Sequence, residues 1–248
     1  MVGMGIHRIF SAPTLSPSYF CSGVLLPQLY KVKKSSFKVG LCKAMAGMDR
    51  PTPQEDGPSP SSAIDFLTLC QRLKSTKRTG WIKRGIKDPE SIADHMYRMA
   101  AMALIGVNMP GIDRDRCVKI AIVHDIAEAI VGDITPTDGI SKEEKSQRER
   151  NALDKMCQML GGGLRAKEIY ELWNEYEDNI TPEAKIVKDF DKVEMILQAL
   201  EYENDQGKDL DDFFQSTAGK FQTDVGKAWA AEIVSRRNRK QDGDGASN

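Results

Sequence analysis

The segment from residue 117 to residue 133 is strongly apolar, yet it contains one histidine and three acidic residues. Removing an ionised carboxylate from water costs several kcal/mol unless the group is paired or bound to a metal ion. This segment can therefore be buried only if something compensates its histidine and acidic side chains, which are His124, Asp125, Glu128 and Asp133. The pattern favours a helical core built around a metal centre.

Composition limits the classes of protein to which the chain can belong. Its 248 residues, of which 40% are hydrophobic, suit one globular domain with a tail. No apolar run reaches the length of about 18 residues that a membrane-spanning helix needs, so we expect no membrane partner. Five cysteines without a C-x-x-C pair indicate a reducing compartment rather than a disulfide framework or a cysteine zinc site.

Charge is distributed unevenly along the chain. Residues 1–48 hold six Lys and Arg and no acid, which leaves 29 basic and 36 acidic side chains, a net charge of −7, for the remainder. An acidic domain of this kind is not expected to bind a nucleic-acid polymer, although one pocket could still accept a single phosphate.

The N-terminal region predicts targeting rather than folded structure. An acid-free, basic, serine-containing segment such as residues 1–48 is typical of an organellar transit peptide. Interspersed prolines favour a plastid (chloroplast) over a mitochondrion, and a disordered tail on a cytoplasmic protein is the alternative. Residues 49–61 are rich in Pro, Gly and polar side chains and are expected to be a flexible linker. We expect residues 236–248 to form a polar, disordered tail.

Helical spacing recurs throughout residues 62–235, and no long run alternates apolar and polar side chains. The sequence therefore predicts an all-α fold, a single helical bundle with a disordered N-terminal extension. Polar residues that precede a proline or a periodic segment are typical N-caps. The expected N-caps are Asp88, Asp113, Ser141 and Thr181.

The apolar segment predicts one continuous central helix that carries the polar residues on a shared face. His124 and Glu128 lie four residues apart, a spacing that places two side chains on the same side of a helix. Gly132 is expected to end this helix, so that Asp133 turns back towards the same pocket. Glu128 and Asp133 are then placed to orient a water and move its proton, or to hold a second ion such as Mg.

The chain has three histidines, and His7 lies in the segment expected to be removed, which leaves two for the folded domain. The predicted ligand set is two imidazoles and two carboxylates from three helices: His95, His124, Asp125 and Asp191. By ligand hardness this set suits a divalent Mn, Co, Fe, Zn or Mg ion. Such an ion lowers the pKa of a coordinated water and offsets charge on a phosphoryl oxygen.

Four segments resemble the HD-domain metallophosphohydrolases, and among them the 5′-deoxynucleotidase group called HD domain-containing protein 2. They are Trp81, Pro89-Glu-Ser-Ile-Ala-Asp-His95, Val-His124-Asp125-Ile-Ala-Glu128-Ala-Ile-Val-Gly-Asp133 and Lys-Asp-Phe-Asp191-Lys-Val-Glu. The resemblance runs from about residue 64 to residue 221. It implies a helical, often homodimeric enzyme that uses a divalent ion to hydrolyse deoxyribonucleoside 5′-monophosphates to deoxyribonucleoside and phosphate.

The resemblance also implies residue roles. The family's ligand pattern falls on His95, His124, Asp125 and Asp191, and its additional glutamate and aspartate fall on Glu128 and Asp133.

One departure from the family concerns the phosphate pocket. A bacterial relative has an arginine directly before the tryptophan there, whereas Gly80 precedes Trp81 in this chain. Arg78, Lys83 or Arg84 could replace that arginine. Trp81 is either a wall for the sugar or a core aromatic.

Two other functions remain open at this stage. The same site could act on another nucleotide, such as an alarmone, or on another phosphomonoester, because one fold supports pockets of different shape. Alternatively, the domain could be a metal-stabilised scaffold that senses nucleotides without catalysis.

Overall fold

The computed structural model describes residues 57–245, and within them it contains helices and no β-strand. This confirms the all-α prediction. The predicted transit peptide and most of the predicted linker lie outside the described residues. The helices are α1 (Pro60–Ser75), α2 (Thr79–Lys83), α3 (Ile92–Gly106), α4 (Arg114–Val123), α5 (Glu128–Val131), the 3-10 helix η1 (Pro136–Asp138), α6 (Lys142–Met159), α7 (Gly163–Asp178), α8 (Pro182–Gln206), α9 (Asp211–Thr217) and α10 (Asp224–Gly245).

Helix α8 is the long central helix of the bundle. Thr181 caps it as predicted, since its hydroxyl accepts a hydrogen bond from the Ala184 amide. Its apolar stripe, which includes Ile186, Phe190 and Val193, is fully buried. Helices α3, α4, α7, α9 and α10 pack against it, and α3 also packs along α4. None of the described helices has the length and hydropathy needed to cross a membrane.

Helix α3 begins later than the sequence predicts. Its N-cap is Ser91 rather than Asp88, because the Ser91 hydroxyl accepts from the Asp94 amide and the Asp94 carboxylate accepts from the Ser91 amide. Asp88 has a φ of 47°, which is outside the helical region. An isolated antiparallel bridge joins Ser91 to Lys77. This bridge holds Lys77, which precedes α2, beside the start of α3.

The predicted central helix is interrupted. Helix α4 ends at Val123, and the next residues form tight turns in which the Glu128 amide donates to the Asp125 carbonyl, three residues back. Helix α5 then starts at Glu128 and ends at Val131, with Gly132 as its C-cap at a φ of 77°. The prediction of one continuous helix was therefore wrong, because apolar residues on all sides do not distinguish a helix from a series of tight turns.

Both ends of the domain are more helical than expected. Helix α1 begins at Pro60 with Ser59 as its N-cap, so it starts inside the predicted linker. Helix α10 continues to Gly245 and thus covers most of the predicted tail. Arg237 of α10 is held there by a bidentate pair with Glu203 of α8.

Candidate metal centre

The four predicted metal ligands converge at the centre of the bundle. His95 on α3 and His124 at the end of α4 are 0% and 3% exposed. The Nε2 atom of His95 lies 3.4 Å from Asp191 Oδ1 and 3.9 Å from Asp125 Oδ2. The Nε2 atom of His124 lies 3.2 Å from Asp125 Oδ2. Donor atoms of His95, His124 and Asp191 all lie within 4.8 Å of one another, a spacing that one ion can bridge.

Hydrogen bonding at the two imidazoles supports a metal ion at this point. Each Nδ1 atom donates away from the centre, from His95 to Glu194 Oε2 at 2.6 Å and from His124 to the Ala121 carbonyl at 2.9 Å. Each Nε2 atom is buried and has no hydrogen-bond partner among the described residues. A buried polar atom without a partner is costly, and two that point to one place fit a shared cation.

The electrostatics of the centre favour the same conclusion. Burial alone would raise the pKa of Asp191, but the neighbouring imidazoles of His95 and His124 hold that pKa well below its usual value. Burial likewise opposes ionisation of Asp125, and His124 and Arg78 lower its pKa. Burial lowers the pKa of His95, yet Glu194 and Asp191 together raise it to about 10, so that a bound ion would displace the Nε2 proton of this imidazole. The carboxylates are therefore ionised and present negative charge to a cation.

Of the three basic candidates for the phosphate pocket, the structure places Arg78 at the centre. Its Nη1 atom lies 3.3 Å from Asp125 Oδ2 and 3.7 Å from Asp133 Oδ1. Arg84 is half exposed and pairs with Asp212, away from the metal ligands. Lys83 instead donates to the loop after Asp133, at Thr135, Thr137 and Asp138.

Trp81 belongs to the core rather than to the wall of the site. It is 2% exposed, its ring packs against Tyr202 and Phe213, and its indole N–H donates to Glu90 Oε1 at 2.8 Å. No face of the ring is open to a sugar. Trp81 therefore occupies a core position, the alternative to a wall for the sugar, and Arg84 lies away from the metal ligands.

Glu128 and Asp133 lie beside the metal ligands in different environments. Glu128 is 2% exposed, and neither of its oxygens has a hydrogen-bond partner in the described part of the chain. Burial and the nearby charges of Asp125 and Asp133 raise its pKa well above the usual value. Asp133 is instead held in place, since its Oδ2 accepts from the Thr79 amide.

The sequence matches the HD-domain family over residues 70–233. This chain belongs to the HD-domain family. Human 5′-deoxynucleotidase HDDC2 is 53% identical over 162 residues, which cover 64% of this chain and 78% of that protein. The 5′-deoxynucleotidase HDDC2 of Dictyostelium discoideum is 47% identical over 189 residues, which cover 71% of this chain and 99% of that protein. The crystal structure of the Pyrococcus horikoshii protein PH0347 is 34% identical, with a TM-score of 0.59, and covers 71% and 98% of the two chains.

Three residues around the centre of this HD domain were missed by sequence reasoning. The Tyr176 hydroxyl donates to Asp191 Oδ2 at 2.7 Å, and Lys145 Nζ lies 3.7 Å from Glu128 Oε1. Glu194 accepts from His95. Tyr176 had the spacing of a core residue and Lys145 lay in a charged segment typical of a solvated face, so neither pattern indicated the site. Glu194, three residues after Asp191, was the one with a usable signal.

Proposed function

We propose that this HD domain hydrolyses deoxyribonucleoside 5′-monophosphates to deoxyribonucleoside and phosphate, with a divalent metal ion as cofactor. The observation that carries the proposal is the convergence with Asp125 and Asp191, beside Arg78, of two buried Nε2 atoms that have no hydrogen-bond partner within residues 57–245. The relatives named 5′-deoxynucleotidase support the substrate class.

His95, His124, Asp125 and Asp191 would hold the ion. When bound, it supplies a water of lowered pKa and offsets charge on a phosphoryl oxygen. Arg78 is the residue that binds the phosphate, because its guanidinium faces the centre and offers several donors in a planar fork.

Glu128 acts as the general base in this mechanism. Glu128 takes a proton from the attacking water as the water oxygen forms a bond to phosphorus. The bond from phosphorus to the 5′ oxygen breaks, and Glu128 returns the proton to that oxygen, which leaves as a hydroxyl of the deoxyribonucleoside. A carboxylate whose pKa is raised above the usual value is a stronger base than an ordinary glutamate. Asp133 positions Arg78 and the loop after α5, since it contacts both Arg78 and Thr79.

The identity of the metal is a further part of the proposal. A set of two nitrogen and two oxygen ligands without thiolate suits Mn, Co, Fe or Zn. The alternative to the roles given above for Glu128 and Asp133 is that their carboxylates hold a second ion, such as Mg. Stripping the metal and restoring single ions, with metal content measured each time, tests which ions restore activity.

Sugar selectivity tests the substrate assignment. Phosphate release is measured with matched deoxyribonucleoside and ribonucleoside 5′-monophosphates after each metal is restored. We expect faster release from the deoxy substrates. Equal rates on both sugars would contradict the deoxy assignment and favour another phosphomonoester, whereas no release with any ion would favour a non-catalytic scaffold.

We also propose a homodimer located in plastids. An exposed apolar stripe on α3 supports self-association, since Tyr97, Leu104 and Ile105 are 77%, 55% and 79% exposed. The acid-free basic composition of residues 1–48 supports targeting. Light scattering of the purified chain tests the first proposal, and the location of a fluorescent protein fused after residue 60 tests the second.

A further inference from the structure

Glu194 lies behind the metal centre, and both of its oxygens are engaged. It is on α8, three residues after Asp191, and it is 0% exposed. Its Oε2 atom accepts from His95 Nδ1 at 2.6 Å, and its Oε1 atom accepts from Arg98 Nε at 2.8 Å and from Arg98 Nη2 at 2.6 Å. Residues three apart on a helix share a face, so α8 provides one metal ligand and also supports another.

The two imidazoles are supported in different ways. His124 donates to a backbone carbonyl, that of Ala121, within its own helical turn. His95 donates to a charged side chain on another helix. A carboxylate on the outer nitrogen of a histidine fixes the tautomer and the ring orientation, and its charge strengthens the inner nitrogen as a metal ligand.

Arg98 holds Glu194 in place. It lies one turn after His95 on α3, and its guanidinium also donates to Gln198 Oε1 at 2.5 Å and to Glu201 Oε2 at 2.7 Å on α8. Leaving a carboxylate buried without a charged partner is expensive, so the guanidinium offsets the cost of placing Glu194 in the core. These hydrogen bonds connect α3 to α8 behind the metal ligands.

We propose that Glu194 is a positioning residue for the metal ion. It accepts a hydrogen bond from the Nδ1 proton of His95 and so turns the Nε2 atom towards the position shared with His124 and Asp191, while Arg98 fixes the carboxylate. The inference rests on the metal site of the proposed function, but it is independent of the substrate assigned there.

The test compares Glu194→Gln with Glu201→Gln in the full-length chain. Both residues lie on α8 and bind Arg98, but only Glu194 contacts His95. Glutamine has one accepting end, so it cannot accept from both His95 and Arg98 as the carboxylate does. The dissociation constant for Co²⁺ is measured by chelator competition, together with the visible spectrum of the bound ion and the melting temperature of the metal-free protein.

We expect Glu194→Gln to weaken Co²⁺ binding by about tenfold to a hundredfold and to change the spectrum of the bound ion. In Glu201→Gln, the Co²⁺ affinity and the spectrum of the bound ion should both stay at their wild-type values. Wild-type affinity and spectrum in Glu194→Gln would overturn the proposal, and so would an equal loss of affinity in Glu201→Gln.

A second variant keeps the test valid if Glu194→Gln does not fold. Glu194→Asp retains the charge but shortens the side chain by one methylene, so we expect a weaker hydrogen bond to His95, a smaller loss of affinity and an altered spectrum. An unchanged affinity and spectrum in this variant would also overturn the proposal. If the wild-type chain binds Co²⁺ but releases no phosphate, the proposed function fails while the role of Glu194 is still decided by the affinities.

Discussion

Asp189 and Glu128 are both buried carboxylates, but their surroundings are opposite. Asp189 is 0% exposed and accepts hydrogen bonds from the Gln222 amide at 2.8 Å, the Thr223 amide at 2.7 Å and the Thr223 hydroxyl at 2.8 Å. Glu128 is 2% exposed and receives no hydrogen bond from the residues described.

This difference in hydrogen bonding distinguishes an acid that stabilises the fold from an acid that is available for function. Asp189 is satisfied by the folded chain, and its hydrogen bonds attach the start of α10 to α8. Glu128 is desolvated without a hydrogen bond from the described residues, and the Lys145 ammonium 3.7 Å away offsets only part of that cost; the fold tolerates this where a water, a substrate or a cation completes the site. Asp189 is only two residues from Asp191, so proximity to a metal ligand in the sequence does not by itself indicate a role in the reaction.

The largest effect is expected for Glu128→Gln. This change removes the proposed general base but preserves the volume of the side chain, so we expect the turnover number to fall by about a hundredfold to ten-thousandfold. Stability should not fall, because no hydrogen bond in the folded chain is lost. Phosphate release and urea unfolding measure the two quantities. Retained activity in a folded variant would remove Glu128 from the mechanism.

Asp189→Ala should show the reverse pattern. The substitution leaves two backbone amides and one hydroxyl without their acceptor, and we expect it to lower the free energy of unfolding by about 3 kcal/mol. Metal content and turnover of the folded fraction should stay at the wild-type level. Urea unfolding gives the stability. Lost turnover at wild-type stability would mean that the two acids do not differ in the way described.

Lys145→Met tests the cation nearest to Glu128. Lys145 lowers the raised pKa of Glu128, so its removal should raise that pKa further and decrease the ionised fraction near neutral pH. The acid limb of the pH–rate profile should then move to higher pH, by about one unit or less. A limb that stays in place, or moves to lower pH, would show that Lys145 does not act on the base.

The smallest effect is expected for Trp81→Phe. Phenylalanine keeps the aromatic contacts with Tyr202 and Phe213 but cannot donate to Glu90. Glu90 then becomes a partly unsatisfied acid, and we expect the free energy of unfolding to fall by about 1–2 kcal/mol. The KM should change by less than about twofold, as for a core residue. A large rise in KM at unchanged stability would restore a substrate contact for Trp81.

Local sequence signals predicted part of this architecture. The N-caps at Asp113 and Thr181 and the all-α class follow from short-range hydrogen bonding and periodicity. Asp88 and Ser91 are both reasonable N-caps by sequence, and the choice between them depends on the bridge to Lys77, which is a tertiary contact.

The candidate site, like the fold, could be predicted only in part from the sequence. The structure brings the four predicted ligands together, and their residue types and buried context were visible in the sequence. Of the supporting residues, Tyr176 and Lys145 were not visible in the sequence, because they act on partners on other elements, whereas the spacing of Glu194 from Asp191 gave a signal. For Trp81 the sequence left a sugar wall and a core aromatic open, since a motif position does not reveal which way a ring faces, and the ring lies in the core.

The most direct test of the metal centre is elemental analysis of the purified full-length chain beside the His124→Ala variant. We expect about one equivalent or more of a divalent transition metal in the wild-type chain and almost none in the variant, because the loss of one imidazole leaves Asp125 and Asp191 as poorly compensated acids. Equal metal content in the two proteins would contradict the account.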